Sequence, residues 1–155
     1  MQSIAKTYYF EKAANVSRLR ISLEEWLGTP FRHRTGVKGR GVDCIHFVAG
    51  VFADLGLMDL RFLKPPEYPP DWHLHNTREI LYAGVKHYLN VEDVNIANPM
   101  DGDILLSHHG KASSHAQIYY NGYLYQALTG AGVVRLTWGD PERYAKIKFN
   151  LRVLA

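Results

Sequence analysis

The spacing of apolar residues changes once along this chain of 155 residues, near Pro99. Before that point they recur every three or four positions, the period of a helix; after it they alternate, the period of a strand. Over 17–27, Leu19, Ile21, Leu23, Trp26 and Leu27 make an uneven helical stripe that ends at Gly28. Over 44–55, Ile45, Phe47, Val48, Val51, Phe52 and Leu55 make a second stripe, with Asp43 placed as its N-cap and Gly56 as its C-cap. Asn76 followed by Glu79 resembles a capping box opening a third helix over 80–89. Past Pro99, the runs 103–107, 114–120, 122–128, 132–137 and 146–154 read as short strands. Asn121-Gly122 between two of them predicts a two-residue hairpin, because a type I′ turn needs positive φ at both central positions. Helices first and strands afterwards define an α+β chain, its N-terminal helices packed on a C-terminal antiparallel sheet.

One compositional break interrupts this order. Residues 64–72 hold four of the seven prolines, so the segment is stiff and extended, neither helix nor central strand. As a linker it would leave about 70 residues before it and about 85 after it, which is cramped for two domains. It reads as a surface insert over 60–75 within one domain spanning 1–155, with 1–16 as an N-terminal extension.

Composition narrows the class further. A hydrophobic share of 46% with 21% charged residues excludes a disordered tail. No apolar run approaches the ~20 residues that span a bilayer. The first fifteen residues carry Lys6, Glu11 and Lys12 without a continuous apolar stretch, so the expectation is cytoplasmic synthesis without a signal peptide. A net charge of +3 is spread along the chain, which disfavours nucleic acid as the main partner. A basic surface would also suit an anionic polymer such as a cell wall, and charge does not choose between them.

A single cysteine excludes an internal disulfide and any Cys-ligated zinc or iron–sulfur centre. Cys44 directly follows the candidate cap, where the helix dipole and free N–H groups favour a thiolate. A lone cysteine is more often a small buried hydrophobe. Here Gly36, Gly39 and Gly41 in the preceding loop allow close backbone approach that a core helix does not require. A thiol nucleophile needs a base, and the base needs an orienting partner. Of the eight histidines, His115 lies in the most strand-like segment and shares a face with Gln117 and Tyr119. Across the hairpin, Gln126 falls near it and has an amide able to hold an imidazole tautomer; alone, Gln126 reads as a solvated strand residue. His73, His75 and His108-His109 lack a carboxylate at ligand spacing, so no metal and no cofactor are expected. His46 sits two residues after Cys44 on a helix, hence on another face, where core or edge packing is the expected role and a place in the site wall the alternative.

Five segments in order carry a resemblance: Gly28-Thr29-Pro30-Phe31-Arg32, Gly41-Val42-Asp43-Cys44, Asp101-Gly102-Asp103-Ile104-Leu105-Leu106, His115-Ala116-Gln117-Ile118-Tyr119 and Tyr125-Gln126-Ala127. Together they closely resemble the NlpC family of papain-like cell-wall cysteine peptidases, from about Trp26 to Trp138. The proline-dense insert ending Tyr68-Pro69-Pro70-Asp71-Trp72 looks most like the variety encoded by phages and gene-transfer agents. The resemblance implies a papain-like fold and a triad of Cys44 as nucleophile, His115 as base and Gln126 as orienter. It implies cleavage of amide bonds in peptidoglycan stem peptides, typically between γ-D-glutamate and a diamino acid, through a thioester. It implies that Phe31, Arg32, Asp43 and Ile45 meet the substrate, that phage tail proteins are candidate partners, and that the enzyme acts from a virion or in the wall after release. Family members usually carry tyrosine where this chain has Phe31, and often serine where it has Ile45. A weakly active or inactive wall-binding or tail component, and a related thiol amidase on another substrate, are the alternatives.

Overall fold

The computed structural model describes residues 5–63 and 79–155. The proline-dense run over 64–72, the histidines 73 and 75 and the proposed cap Asn76 lie outside the described residues. Among the described residues the α-helices are α1 (Ala13–Trp26), α2 (Cys44–Asp54), α3 (Ile80–Tyr88) and a short α4 (Pro141–Lys146). The strands are β1 (Gly36–Val37), β2 (Gly41–Val42), β3 (Val91–Asp93), β4 (Ile104–His108), β5 (Ser113–Tyr120), β6 (Tyr123–Leu128), β7 (Gly132–Thr137) and β8 (Ile147–Val153). β1 and β2 form a two-stranded ribbon, and the other six form one antiparallel sheet in the order β3-β8-β4-β5-β6-β7.

The caps act as expected at α2. Asp43 accepts the backbone N–H of His46 on its side chain. At the other end Gly56 takes φ +75°; its N–H reaches the Ala53 carbonyl and that of Leu57 the Phe52 carbonyl, the paired bonds of a Schellman motif. At α3 the outcome differs. Glu79 is the N-cap residue but makes no side-chain cap bond. Its carboxylate instead takes His108 Nε2 at 2.9 Å and the Ser113 N–H at 3.2 Å, which ties the helix to the β4–β5 turn. The Glu79 carboxylate thus serves a tertiary contact, and its expected capping partner Asn76 lies outside the described residues. Helix α1 starts four residues earlier than the apolar stripe suggests, and Ile21, placed on that stripe, is exposed.

Period-two alternation sorts the sheet's two faces. Ile104, Leu106, Ala116, Ile118, Tyr125, Ala127 and Leu151 pack against α1 and α2, whose core contribution is Leu19, Leu23, Trp26, Phe47, Val48, Val51 and Phe52. Leu105, Leu124 and Ile147 form a smaller cluster on the other face with Tyr119 and Trp138. Helices α1 and α2 approach closely because Gly50 has no Cβ; one there would lie 2.3 Å from the Trp26 ring. Residues 7–16 are joined to this body: Tyr8 bridges to Leu154, and Phe10 is buried against Phe52.

The Asn121-Gly122 turn has φ of 49° and 83° and joins Tyr120 to Tyr123, as a type I′ hairpin requires. β5 has eight residues and β6 six, yet the ladder pairs only Ile118–Tyr125, Tyr119–Leu124 and Tyr120–Tyr123. The N-terminal half of β5 lies beyond that ladder, and α2 packs on both strands there.

Candidate active site

Cys44 stands at the first position of α2, by the end of β5 that β4 pairs and β6 does not. Its thiol donates to the Ser114 carbonyl at 3.8 Å, on the strand residue just before His115. Burial pushes the thiol up to about 11, and the Asp43 carboxylate adds to that; the N–H groups of Ala116, Ile45 and Cys44 itself pull the other way. The sequence led to the opposite expectation, because a helix N-terminus favours thiolate. Those donors are present, and desolvation outweighs them.

His115 lies on the sheet face away from the helices, one step before Ala116. Its Nε2 meets Gln126 Oε1 at 2.8 Å, across the hairpin. Gln126 also donates to the Leu124 carbonyl at 3.3 Å, which fixes its amide so that oxygen faces the imidazole. The oxygen can only accept, so Nε2 carries the proton and Nδ1 keeps a lone pair. Burial pulls the imidazole down to about 4; the Gln126 bond opposes this and nearby His109 reinforces it. The two rings stand 5.9 Å apart, edge to face. At neutral pH the cavity is therefore lined by an uncharged thiol and an uncharged imidazole.

Asp43 keeps both oxygens occupied. Oδ1 accepts from His46 N–H at 2.8 Å and faces the His46 ring at 2.7 Å, and Oδ2 accepts from Arg34 N–H at 2.8 Å. Burial alone would raise its carboxyl, but the His46 side-chain and backbone bonds outweigh that and hold it below the usual range. His46 thus supports the cap as well as packing at the start of the helix. The preceding loop is tight around this point: a Cβ on Gly36 would sit 2.9 Å from His46 Cβ, and one on Gly41 2.9 Å from Arg32 Cβ. Gly39 has positive φ and open space, so it serves the turn rather than close approach.

Phe31 is placed by a parallel bridge to Val42, with Val42 N–H on the Pro30 carbonyl at 2.9 Å and Arg32 N–H on the Val42 carbonyl at 3.0 Å. The segment before it is pinned to β7 by Gly28 N–H on Val133 O and Val133 N–H on Thr29 O. Gly132, at φ +78°, permits this: a Cβ would lie 2.4 Å from the Thr29 carbonyl.

Cys44, His115, Gln126, Phe31, Asp43 and Ile45 all line one cavity of about 650 Å³, within the ~300–1,000 Å³ usual for ligand sites. Ile45 also borders a smaller apolar cleft against α3. Arg32 is exposed and does not line the cavity; its neighbour His33 does. Sequence reasoning missed several lining residues. Gln117 and Ser107, bonded to each other at 2.6 Å, could have been found from the face they share with His115. His109 sits in a turn with no periodic signal, and Arg143 and Lys146 lie on α4, which carries no apolar stripe. Among the described residues, no group of three or more His, Cys, Asp or Glu side chains is placed to hold a metal ion.

Helices packed on one antiparallel sheet, with a cysteine at a helix start lining the same cavity as a strand-borne histidine and glutamine, make this an α+β fold. Within that class the chain has the NlpC/P60 fold. It superposes on an NLP/P60-family protein similar to a lipoprotein, from Staphylococcus aureus, with TM-score 0.66 and 14% identity over 99% of this chain and 45% of that one. The peptidoglycan hydrolase RipB of Mycobacterium tuberculosis matches with TM-score 0.57 and 18% identity, over 92% of this chain and 66% of RipB. RipD of the same organism, described as a non-catalytic NlpC/p60 domain protein adapted to peptidoglycan binding, matches with TM-score 0.52 and 13% identity, over 89% and 95%. The chain thus spans less than half of the staphylococcal protein's length. No protein-family model and no curated protein matches the sequence. Among the described residues no helix is long and apolar enough to cross a membrane.

Proposed function

We propose that the chain is a thiol amidase of the NlpC type, hydrolysing amide bonds in peptidoglycan stem peptides. The observation that carries this reading is the 2.8 Å bond from His115 to Gln126 inside the cavity that Cys44 also lines. With Nε2 committed to Gln126, Nδ1 is the nitrogen left for the thiol proton. Because thiol and imidazole both rest uncharged, proton transfer accompanies attack rather than preceding it. Sγ bonds to the carbonyl carbon as His115 takes the proton, and the oxyanion meets the free N–H of Cys44 at the helix start. His115 then gives the proton to the departing amine, leaving a thioester. Water attacks that thioester, His115 accepts its proton, and the thiol is restored. The γ-D-glutamyl–diamino acid bond is the favoured target on the resemblance of the sequence motifs. The same resemblance supports delivery by a phage or gene-transfer-agent particle, with tail proteins as partners.

Digestion of purified peptidoglycan, followed by mass spectrometry of the released muropeptides, tests this. New amine ends should appear with the parent chain and vanish with Cys44→Ala or His115→Ala. Release that survives Cys44→Ala removes the triad. A second reading, a wall-binding domain without turnover, is favoured by Phe31 in place of a hydroxyl donor and by the likeness to RipD. It expects equal retention on peptidoglycan by the parent and both variants, with no release.

A further inference from the structure

Two buried polar residues of the cavity take no part in the thiol chemistry. Ser107 and Gln117 are each 4% exposed, and both line the cavity. Gln117 Nε2 donates to Ser107 Oγ at 2.6 Å, and neither side chain makes another hydrogen bond among the described residues. The pair thus leaves the Ser107 hydroxyl proton, the second amide proton and the amide oxygen unused. Turning the amide over exchanges the roles but still leaves a donor and an acceptor side by side. Among the described residues, the side-chain atoms enclosed without a partner are Ser113 Oγ and Asn150 Oδ1. The Gln117 oxygen is not one of them, so it is unpaired yet open to the cavity. Buried polar groups are nearly always bonded, because each bond left unmade costs free energy.

The strands aim this pair at the reacting groups. Ser107 stands opposite His115 on β5 and opposite Ile147 on β8, and Gln117 stands opposite Leu105. Opposed side chains start about 5 Å apart, so the pair adjoins the base. The β4–β5 register shifts just after Ser107, and the β4–β8 register just before it. Such irregularities re-aim a side chain and are common beside active sites. The surroundings are neutral: Leu105 and Ile147 are buried, and the imidazole of His115 is uncharged at neutral pH. The cations of the cavity, on α4, are exposed to solvent. A carboxylate against the pair would lie buried without a counter-charge and would set oxygen against the Gln117 oxygen. A secondary peptide group holds its N–H and C=O on opposite edges. A primary amide offers both on one edge.

We propose that Ser107 and Gln117 form a neutral subsite for a primary carboxamide, so that the site selects a substrate carrying a carboxamide in place of a free carboxylate beside the scissile bond. The assignment rests on the thiol amidase reading for that bond, but its test does not need turnover.

Cys44→Ala removes turnover and leaves binding to be read alone. Two γ-D-glutamyl-L-lysine peptides, alike except for an α-carboxamide or an α-carboxylate, are titrated calorimetrically in high salt, which screens the exposed cations of α4. The carboxamide peptide should bind about ten- to a hundredfold more tightly. Gln117→Met keeps the length of the side chain, and Ser107→Ala removes a single hydroxyl. Each, added to Cys44→Ala, should bring the two affinities within about threefold, chiefly by weakening the carboxamide peptide. A melting temperature close to that of Cys44→Ala shows which variants are folded, and a folded one carries the comparison. Equal affinities in Cys44→Ala, or a preference that survives substitution of the pair, overturns the subsite even if the parent chain cleaves peptidoglycan. A preference that disappears with the pair in a chain that cleaves nothing keeps the subsite and overturns the amidase.

Discussion

His115 and Gln126 meet by side chain, at 2.8 Å, where their strands no longer pair by backbone. The ladder between β5 and β6 ends at Ile118–Tyr125, and the amide of Gln126 spans the opening beyond it. Gln126 therefore sets the imidazole tautomer with little help from the backbone. Gln126→Ala should lower kcat by roughly 10–10² while leaving KM nearly unchanged. Gln126→Glu places a negative charge against Nε2 and should raise the acid limb of the kcat/KM profile by about one to three pH units. A profile that stays put with Glu would mean that Gln126 merely packs.

The unusual titration of both reacting groups makes folding stability depend on pH in two separate windows. His115 is held at about 4 against its ordinary 6.5, so between those values the unfolded chain binds a proton that the folded one refuses. Stability then falls as pH drops from 6.5 to 4. Cys44 is held at about 11 against 9.0, so the folded chain keeps a proton that the unfolded one loses, and stability falls as pH rises from 9 to 11. Each slope is at most about 1.4 kcal/mol per pH unit. Melting temperatures measured across each window, for the parent against His115→Gln and Cys44→Ala, should show the variants flatter by that amount. Equal slopes would mean that neither group is as desolvated as the cavity suggests.

The features legible in the sequence were those fixed by neighbours along the chain. The Asp43 and Gly56 caps, the Asn121-Gly122 turn and the alternation that puts His115 and Gln126 on one face all depend on a few adjacent residues. Glu79 was read as the partner of Asn76 in a capping box because nothing nearby announces His108 and Ser113, which meet its carboxylate only once the sheet forms. The thiol was read as readily ionised for a similar reason. The helix N-terminus is visible in the sequence, while the burial that overrides it exists only in the folded chain, where the thiol meets Ser114, seventy positions away. Helix α4 had a legible start in Asp140-Pro141, but it buries no residue, so periodicity passed over it and with it Arg143 and Lys146. Arg32 was carried by its adjacency to Phe31, yet successive residues of extended chain point to opposite sides.

Asp43 couples the fold to the site through four groups: its cap bond to His46 N–H, the His46 ring, Arg34 N–H and the start of the nucleophile helix. Asp43→Ala should cost about 1–2 kcal/mol from the cap alone, seen as a lower melting temperature. Asp43→Asn keeps one acceptor oxygen for the His46 N–H but sets an amide NH2 against the Arg34 N–H, so it should recover only part of that loss. Because the carboxylate also raises the thiol, both variants should shift Cys44 alkylation to lower pH. A shift with Ala and none with Asn would trace the effect to geometry instead of charge.

Phe31 is where a small change should improve the site. Its backbone is locked to Val42 on both sides, so a substitution that keeps the ring leaves the loop in place. The ring lines the cavity beside Cys44 and offers no donor to a developing oxyanion. Phe31→Tyr adds one hydroxyl to a half-buried ring whose edge already faces that space. Lost oxyanion donors elsewhere cost about 10²–10³ in rate, so a gained one should raise kcat by about tenfold or more, with KM and melting temperature little changed. Steady-state kinetics on a soluble stem peptide measure this directly. A rate no higher than the parent's would place the oxyanion on backbone N–H groups and His33, and would leave Phe31 as an apolar wall that selects for the substrate's shape.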